Sequence, residues 1–197
     1  MNDYKMQTRD YITGGIFSLI YTVVTFVVGA ITQSNPVTFL FMPMAVAIFS
    51  GPVYMLYVAK IPKRGSIILL GLIAGILSFI GGMFWMMGLF FVVFGIIADC
   101  ICAIGKHKSF KLNLLSYAFF AISPGGGHLA MFFLQSQFDE FMQQKGDISM
   151  FEESINLVAQ NWWVAALITL GSMACGVVGG LIGKKMMKKH FERAGIV

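Results

Sequence analysis

Six apolar stretches of membrane-crossing length divide the chain, and basic residues fill every second gap between them. Thirteen of the fourteen Lys and Arg residues fall into four clusters. Lys5 and Arg9 precede the first stretch, and Lys60, Lys63 and Arg64 follow the second. Lys106, Lys108 and Lys111 follow the fourth, and Lys184, Lys185, Lys188, Lys189 and Arg193 follow the sixth. The other gaps hold one basic residue, Lys145, and the last of them carries Asp139, Glu140, Asp147, Glu152 and Glu153. Cytoplasmic loops retain Lys and Arg, so the alternation sets span number and orientation together. It predicts an all-α membrane protein, a bundle of six transmembrane helices with both termini in the cytoplasm.

Composition agrees. The 197 residues are 57% hydrophobic and 12% charged, with a mean hydropathy of +0.79, whereas soluble domains carry roughly 25% charge. Six spans of about 20 residues use roughly 120 positions, which leaves short loops and no soluble catalytic domain. The net charge of +5 flanks spans, so it fits anionic lipid and the positive-inside bias better than nucleic acid. Cys100, Cys102 and Cys175 lie inside apolar stretches, odd in number and away from outer loops, so they read as small packing residues. The first apolar run is too long for the core of a cleavable signal, and it reads as a retained span.

The spans are expected at about 12–31, 37–59, 66–80, 84–104, 112–134 and 162–183, within a single integral membrane domain covering 1–197. Asn35-Pro36 closes a tight outer turn. Pro43 and Pro52 fall inside the second span, where proline removes backbone donors. Gly81-Gly82 separates the third span from the fourth. In the fifth, Ser123-Pro124-Gly125-Gly126-Gly127-His128 predicts a helix break that needs a protein or water environment. The connection 135–161 is the only long outer one, and Phe138, Phe141 and Met142 among polar residues predict a short amphipathic helix there, a candidate lid.

Small residues mark the packing faces. Gly171, Cys175, Gly179 and Gly183 recur at every fourth position of the last span, beside a parallel row of Ser172, Gly176 and Gly180. Two pairs at the same spacing, Gly71 with Gly75 and then Ser78 with Gly82, lie around the third span. Gly14 and Ser18, with Gly15 beside them, form a small-residue patch near the cytoplasmic end of the first span, where a partner subunit could dock. Polar and aromatic residues gather at the outer side: Asn35, Trp85, His128, Gln135, Asn161 and Trp162. Tryptophan at this depth is also an interfacial anchor, and His128 is either a ligand-binding group or a satisfied core histidine. Glycine-broken backbone with aromatic rings and few polar groups suits a small-ligand pocket. Asp99, near the inner end of the fourth span, is either hydrated or lysine-paired, or has a role in inner-side gating or subunit coupling. No H-E-x-x-H, P-loop or G-x-S-x-G sequence occurs, so neither a catalytic residue nor a metal or other cofactor is expected.

Together, the opening Arg9-Asp10-Tyr11-Ile12-Thr13-Gly14-Gly15-Ile16-Phe17, the Asn35-Pro36 turn, the Ser123–His128 break and the glycine-rich last span with its basic tail resemble the substrate-binding S components of energy-coupling factor transporters, and more narrowly the Trep_Strep group. The resemblance implies a bacterial cytoplasmic membrane protein that captures a small nutrient, vitamin-like or a modified base, at its outer side. It also implies docking on a transmembrane coupling subunit with two ATPase subunits that hydrolyse ATP. In such proteins an A-x-x-x-A pattern on span 1 meets the coupling subunit, and Gly14-x-x-x-Ser18 is its nearest counterpart here. The alternatives from other classes are a self-contained oligomeric channel or secondary carrier, and an intramembrane enzyme.

Overall fold

A computed structural model describes residues 5–145 and 161–188. Among them every regular element is helical: α1 (Thr8–Thr32), α2 (Pro36–Leu40), α3 (Met42–Lys60), α4 (Ser66–Ile80), α5 (Trp85–Ile104), α6 (Phe110–Phe120), a 3₁₀ turn at Ser123–Gly125, α7 (Gly126–Phe133), α8 (Gln135–Gln143) and α9 (Trp163–Met186). Helices α1, α3, α5 and α9 are long and apolar enough to cross a membrane. The segment from α6 through α7, bent by 106° from α8, raises the count to five, and α4 is apolar but only 15 residues long. Lipid is the fitting solvent, because α1 alone turns Ile12, Ile16, Leu19, Val23, Val27 and Ile31 outward. The serine and threonine hydroxyls on its inner face are satisfied within the helix: Ser18 donates to the Gly14 carbonyl at 2.8 Å and Thr22 to the Ser18 carbonyl at 2.8 Å.

Glycines bring the backbones together. The two rows on α9 face two different helices. A Cβ on Gly179 would lie 2.7 Å from the Ile48 carbonyl oxygen of α3, and one on Gly183 would lie 3.0 Å from Pro52 Cα. Pro52 has no N–H to give Ile48, so α9 approaches α3 where a carbonyl has lost its helical donor. In the parallel row, a Cβ on Gly176 would meet Ala118 Cα of α6 at 3.3 Å. Helices α4 and α5 cross as closely, since a Cβ on Gly75 would lie 2.8 Å from the Gly88 carbonyl oxygen. The core between them is aromatic: Tyr21, Tyr54, Tyr57, Phe91, Tyr117 and Phe120 are buried together.

Three expectations change. The second apolar stretch is two helices, because Phe41 breaks it and Pro43 lies in the first turn of α3, where proline is tolerated, leaving Pro52 as the proline inside the helix. Asp99, 2% exposed, is shielded from water and pairs with no lysine among the described residues. Its oxygens each accept the Gly65 N–H at 3.0 Å, and Oδ1 also accepts the Ile67 N–H at 3.2 Å and lies 3.4 Å from His107 Nε2. A side chain of α5 therefore caps the start of α4, helped by Gly65 at φ 87°. Finally, Gly14 and Ser18 face inward. A Cβ on Gly14 would lie 2.6 Å from Leu69 Cδ2 of α4 and 3.4 Å from the Tyr57 hydroxyl of α3, and Ser18 is fully buried. Gly15 alone of that patch has open space beside it.

Among the described residues the ion pairs collect at one end of the bundle. Lys63 Nζ meets Asp10 Oδ2 at 2.6 Å, joining the loop after α3 to the first turn of α1. Lys184 of α9 lies over the Phe110 ring of α6 at 4.1 Å. Lys189 and Arg193 of the basic tail, and Asp147, Glu152 and Glu153 of the connection, lie outside the described residues.

Candidate functional site

The opposite end is built from interruptions in helices. Gln33 ends α1, its N–H donating to the Gly29 carbonyl at 3.0 Å. Asn35 then caps α2, its Oδ1 accepting the Val37 N–H at 2.8 Å, with Pro36 in the first turn. Residues 81–84 carry the chain from α4 to α5 through Gly82 at φ 77°. The fifth stretch breaks after Phe120, and the 3₁₀ turn restarts the helix as α7. Gly126 makes that restart possible, since a Cβ there would lie 2.8 Å from both the Met86 carbonyl oxygen and Met87 Cα. Gly127 has nothing within 4 Å of its Cβ position.

These interruptions enclose a cavity of about 310 Å³. Its lining is four phenylalanines (Phe39, Phe84, Phe138 and Phe141), four methionines (Met42, Met83, Met87 and Met142), Gly82, Pro124 and Gly127, with only Gln33, His128 and Lys145 as polar side chains. Helix α8 closes one side. Phe84 meets Phe138 edge-on at 5.5 Å and Phe141 edge-on at 5.3 Å. Just beyond α8, Lys145 Nζ donates to the Gly82 carbonyl and lies 4.8 Å from the Phe141 ring centre.

His128 is 3% exposed. Its ring stacks on Phe39 at 4.5 Å, and Nε2 is 2.9 Å from the Phe39 carbonyl oxygen. A carbonyl only accepts, so Nε2 carries the proton and Nδ1 of the neutral ring is an acceptor. Nδ1 is buried without a partner among the described residues. The histidine is thus half satisfied: one nitrogen fixes the ring on the Phe39 carbonyl and the other is buried without a partner among the described residues.

The remaining predicted residues scatter. Asn35 is exposed and spent on its cap. Trp85 stacks on Phe84 at 5.6 Å but does not line the cavity. Gln135 and Trp162 line a smaller hollow of about 220 Å³ with Met131, Phe132, Phe133 and Ala165. Trp162 is 81% exposed, the placement of an interfacial anchor. Asn161 Oδ1 accepts the Trp163 Nε1–H at 3.1 Å. Of the six, only His128 enters the larger cavity. Its other polar residues had signals in the sequence: Lys145 is the lone basic residue outside the clusters, and Gln33 stands at the end of the first apolar run.

Residues 8–193 match the family model Trep_Strep, described as a hypothetical bacterial integral membrane protein. The chain belongs to this family. The match spans every described helix, so the cavity, its α8 cover and His128 all lie within the Trep_Strep region. No curated protein and no solved structure matches the chain.

Proposed function

We propose that this Trep_Strep protein is the substrate-capture subunit of an energy-coupling factor importer in the bacterial cytoplasmic membrane. In this reading the chain crosses six times, with α4 as a short span and α6–α7 as a broken one, and both termini are cytoplasmic. The cavity carries the proposal: an apolar chamber lined by a histidine with a buried, unpaired acceptor, at the end of the bundle away from the basic clusters. By the positive-inside bias that end faces outward, where a nutrient arrives. A chamber near 300 Å³ is at the small end for organic ligands. Helix α8, held by rings and one lysine, serves as the lid.

Capture needs no catalysis by this chain. The bound, closed form docks on a transmembrane coupling subunit, and two ATPase subunits drive reorientation. Because Gly14 and Ser18 are consumed by packing inside the bundle, docking falls to the outward face of α1 around Gly15, beside Tyr11, Ile12 and Leu19. The test is co-expression with a coupling subunit and its ATPases, followed by affinity purification and native mass spectrometry for a retained small molecule. A stable complex whose uptake requires ATP hydrolysis supports the proposal. Uptake by the chain alone in proteoliposomes identifies a self-contained carrier or channel instead.

A further inference from the structure

We infer that the cavity takes a small organic monocarboxylate with a flat or apolar body and an N–H or O–H donor, the acid at Lys145 and the donor at His128. This deepens the capture reading and rests on it. Eight of the fourteen lining residues are Phe or Met, which suit a ring or other apolar body through dispersion and sulfur–aromatic contacts. Polar recognition is left to three side chains, and none of them is acidic. Asp139 and Glu140 sit on α8, but neither lines the cavity.

Lys145 supplies the positive charge. Its ammonium donates to the Gly82 carbonyl and touches the Phe141 face, and neither contact cancels the charge. Among the described residues no carboxylate lies within ion-pair distance of it. An ammonium has three donors, so one remains for a ligand oxygen after those two contacts. Lys145 is exposed, so it is a solvated cation on the lining of a largely apolar chamber, and it suits a single negative charge. A phosphate dianion would bring a second charge that no other lining residue meets.

His128 supplies the second polar contact. Because Nε2 is committed to the Phe39 carbonyl, the buried, unpaired Nδ1 of this cavity-lining residue accepts and cannot donate. A ligand N–H or O–H therefore completes a buried group that the protein leaves unpaired, whereas a second acceptor there would face lone pair to lone pair. A cationic amine is disfavoured by Lys145, and a purely apolar molecule leaves Nδ1 unpaired.

The experiment uses the full-length protein in lipid nanodiscs and four indole probes of similar size, with affinities from ligand-observed NMR titration. Indole-3-acetate has acid and N–H, indole-3-acetamide lacks the charge, 1-methylindole-3-acetate lacks the N–H, and tryptamine carries a cation. Indole-3-acetate should bind about tenfold more tightly than the amide and about tenfold more tightly than the methylated acid, with tryptamine weakest. Lys145→Gln should collapse the acid-over-amide gap and keep the N–H gap. His128→Phe, which retains a ring against Phe39, should do the reverse. If that variant does not fold, the wild-type comparison of methylated and unmethylated acid still decides the histidine arm. Equal affinity for acid and amide, tryptamine at or above the acid, no saturable binding by any probe, or an unchanged ranking in Lys145→Gln would each overturn the inference. The expected ranking with ATPase-independent uptake would retain the ligand class and remove the importer reading. ATP-dependent uptake with a reversed ranking would do the opposite.

Discussion

Replacing Asp99 with alanine strands two backbone amides at the start of α4. The carboxylate is buried in α5 and takes the Gly65 N–H on both oxygens at 3.0 Å and the Ile67 N–H on Oδ1 at 3.2 Å. Hydrogen bonds to a charged acceptor contribute about 1.5–3 kcal/mol each, and a buried donor left without a partner costs a similar amount. With two amides orphaned and the 3.4 Å contact to His107 also lost, the expected loss is about 4 kcal/mol. Asparagine keeps one acceptor oxygen and turns an NH₂ toward an N–H, so Asp99→Asn should lose about 2 kcal/mol. For a chain of this length each kcal/mol shifts the midpoint by about 2–4 °C, so alanine should lower it by roughly 8–16 °C and asparagine by about half that. The assay is thermal unfolding of detergent-purified protein, followed by loss of the monodisperse peak in size-exclusion chromatography. A midpoint for Asp99→Ala within 2 °C of wild type would refute the capping argument. An Asp99→Asn protein of wild-type stability that fails in uptake would instead make the carboxylate a working group of the transport cycle.

Three further substitutions separate cavity, packing and docking. Gly127→Leu points a side chain into space that the structure leaves open; it should leave the thermal midpoint nearly unchanged and abolish probe binding in the same titration. Gly179→Leu drives atoms into the Ala47 and Ile48 carbonyls of α3; it should cost about 3 kcal/mol or prevent folding, seen as loss of the monodisperse peak. Gly15→Phe meets nothing within the bundle; it should leave ligand affinity intact and reduce co-purification of the coupling subunit, and an undiminished complex moves the docking face elsewhere.

What the sequence revealed divides along a physical line. Helix α4 lies at the expected 66–80 because glycines bound it at both ends, Gly65 at positive φ and the Gly81-Gly82 turn. The rows on α9 and the break at Ser123–His128 were legible for the same reason, since glycine at fixed spacing has few other uses in a span. Facing was harder to read. In water an inward face is apolar and an outward face polar, but in α1 the outward face is the apolar one and the inward face carries small and hydroxyl residues. Gly14 and Ser18 point inward and Ile12, Ile16 and Leu19 outward, because close packing favours small residues and lipid accepts large ones. Asn35 illustrates a second ambiguity: before proline it is equally a turn polar group and a helix cap, and its side chain is occupied by Val37 N–H. Phe39, Phe84 and Met87 line the cavity, yet within an apolar run nothing distinguishes them from neighbours that face lipid.

The two ends of the molecule are held by different kinds of contact, and the proposed cycle depends on that difference. At the basic end, α1 is tied to the loop before α4 by Lys63–Asp10, and α4 to α5 through Asp99, directional contacts that hold helix ends in register. At the cavity end, α8 rests on Phe84 through two ring contacts and is fixed to the turn after α4 by Lys145. Ring pairs contribute about 0.5–1.5 kcal/mol each beyond the area they bury, so lifting α8 off Phe84 costs about 1–3 kcal/mol from those pairs. Burial of Phe138 and Met142 adds to that cost, so the open form is the minor state of the two. A carboxylate that draws Lys145 inward then adds a bond on the closed side alone, and closure follows from that differential contact. Under the proposed function the cavity end opens and closes while the basic end keeps its shape, which is what a subunit needs if it presents the same docking face to its motor in every turnover.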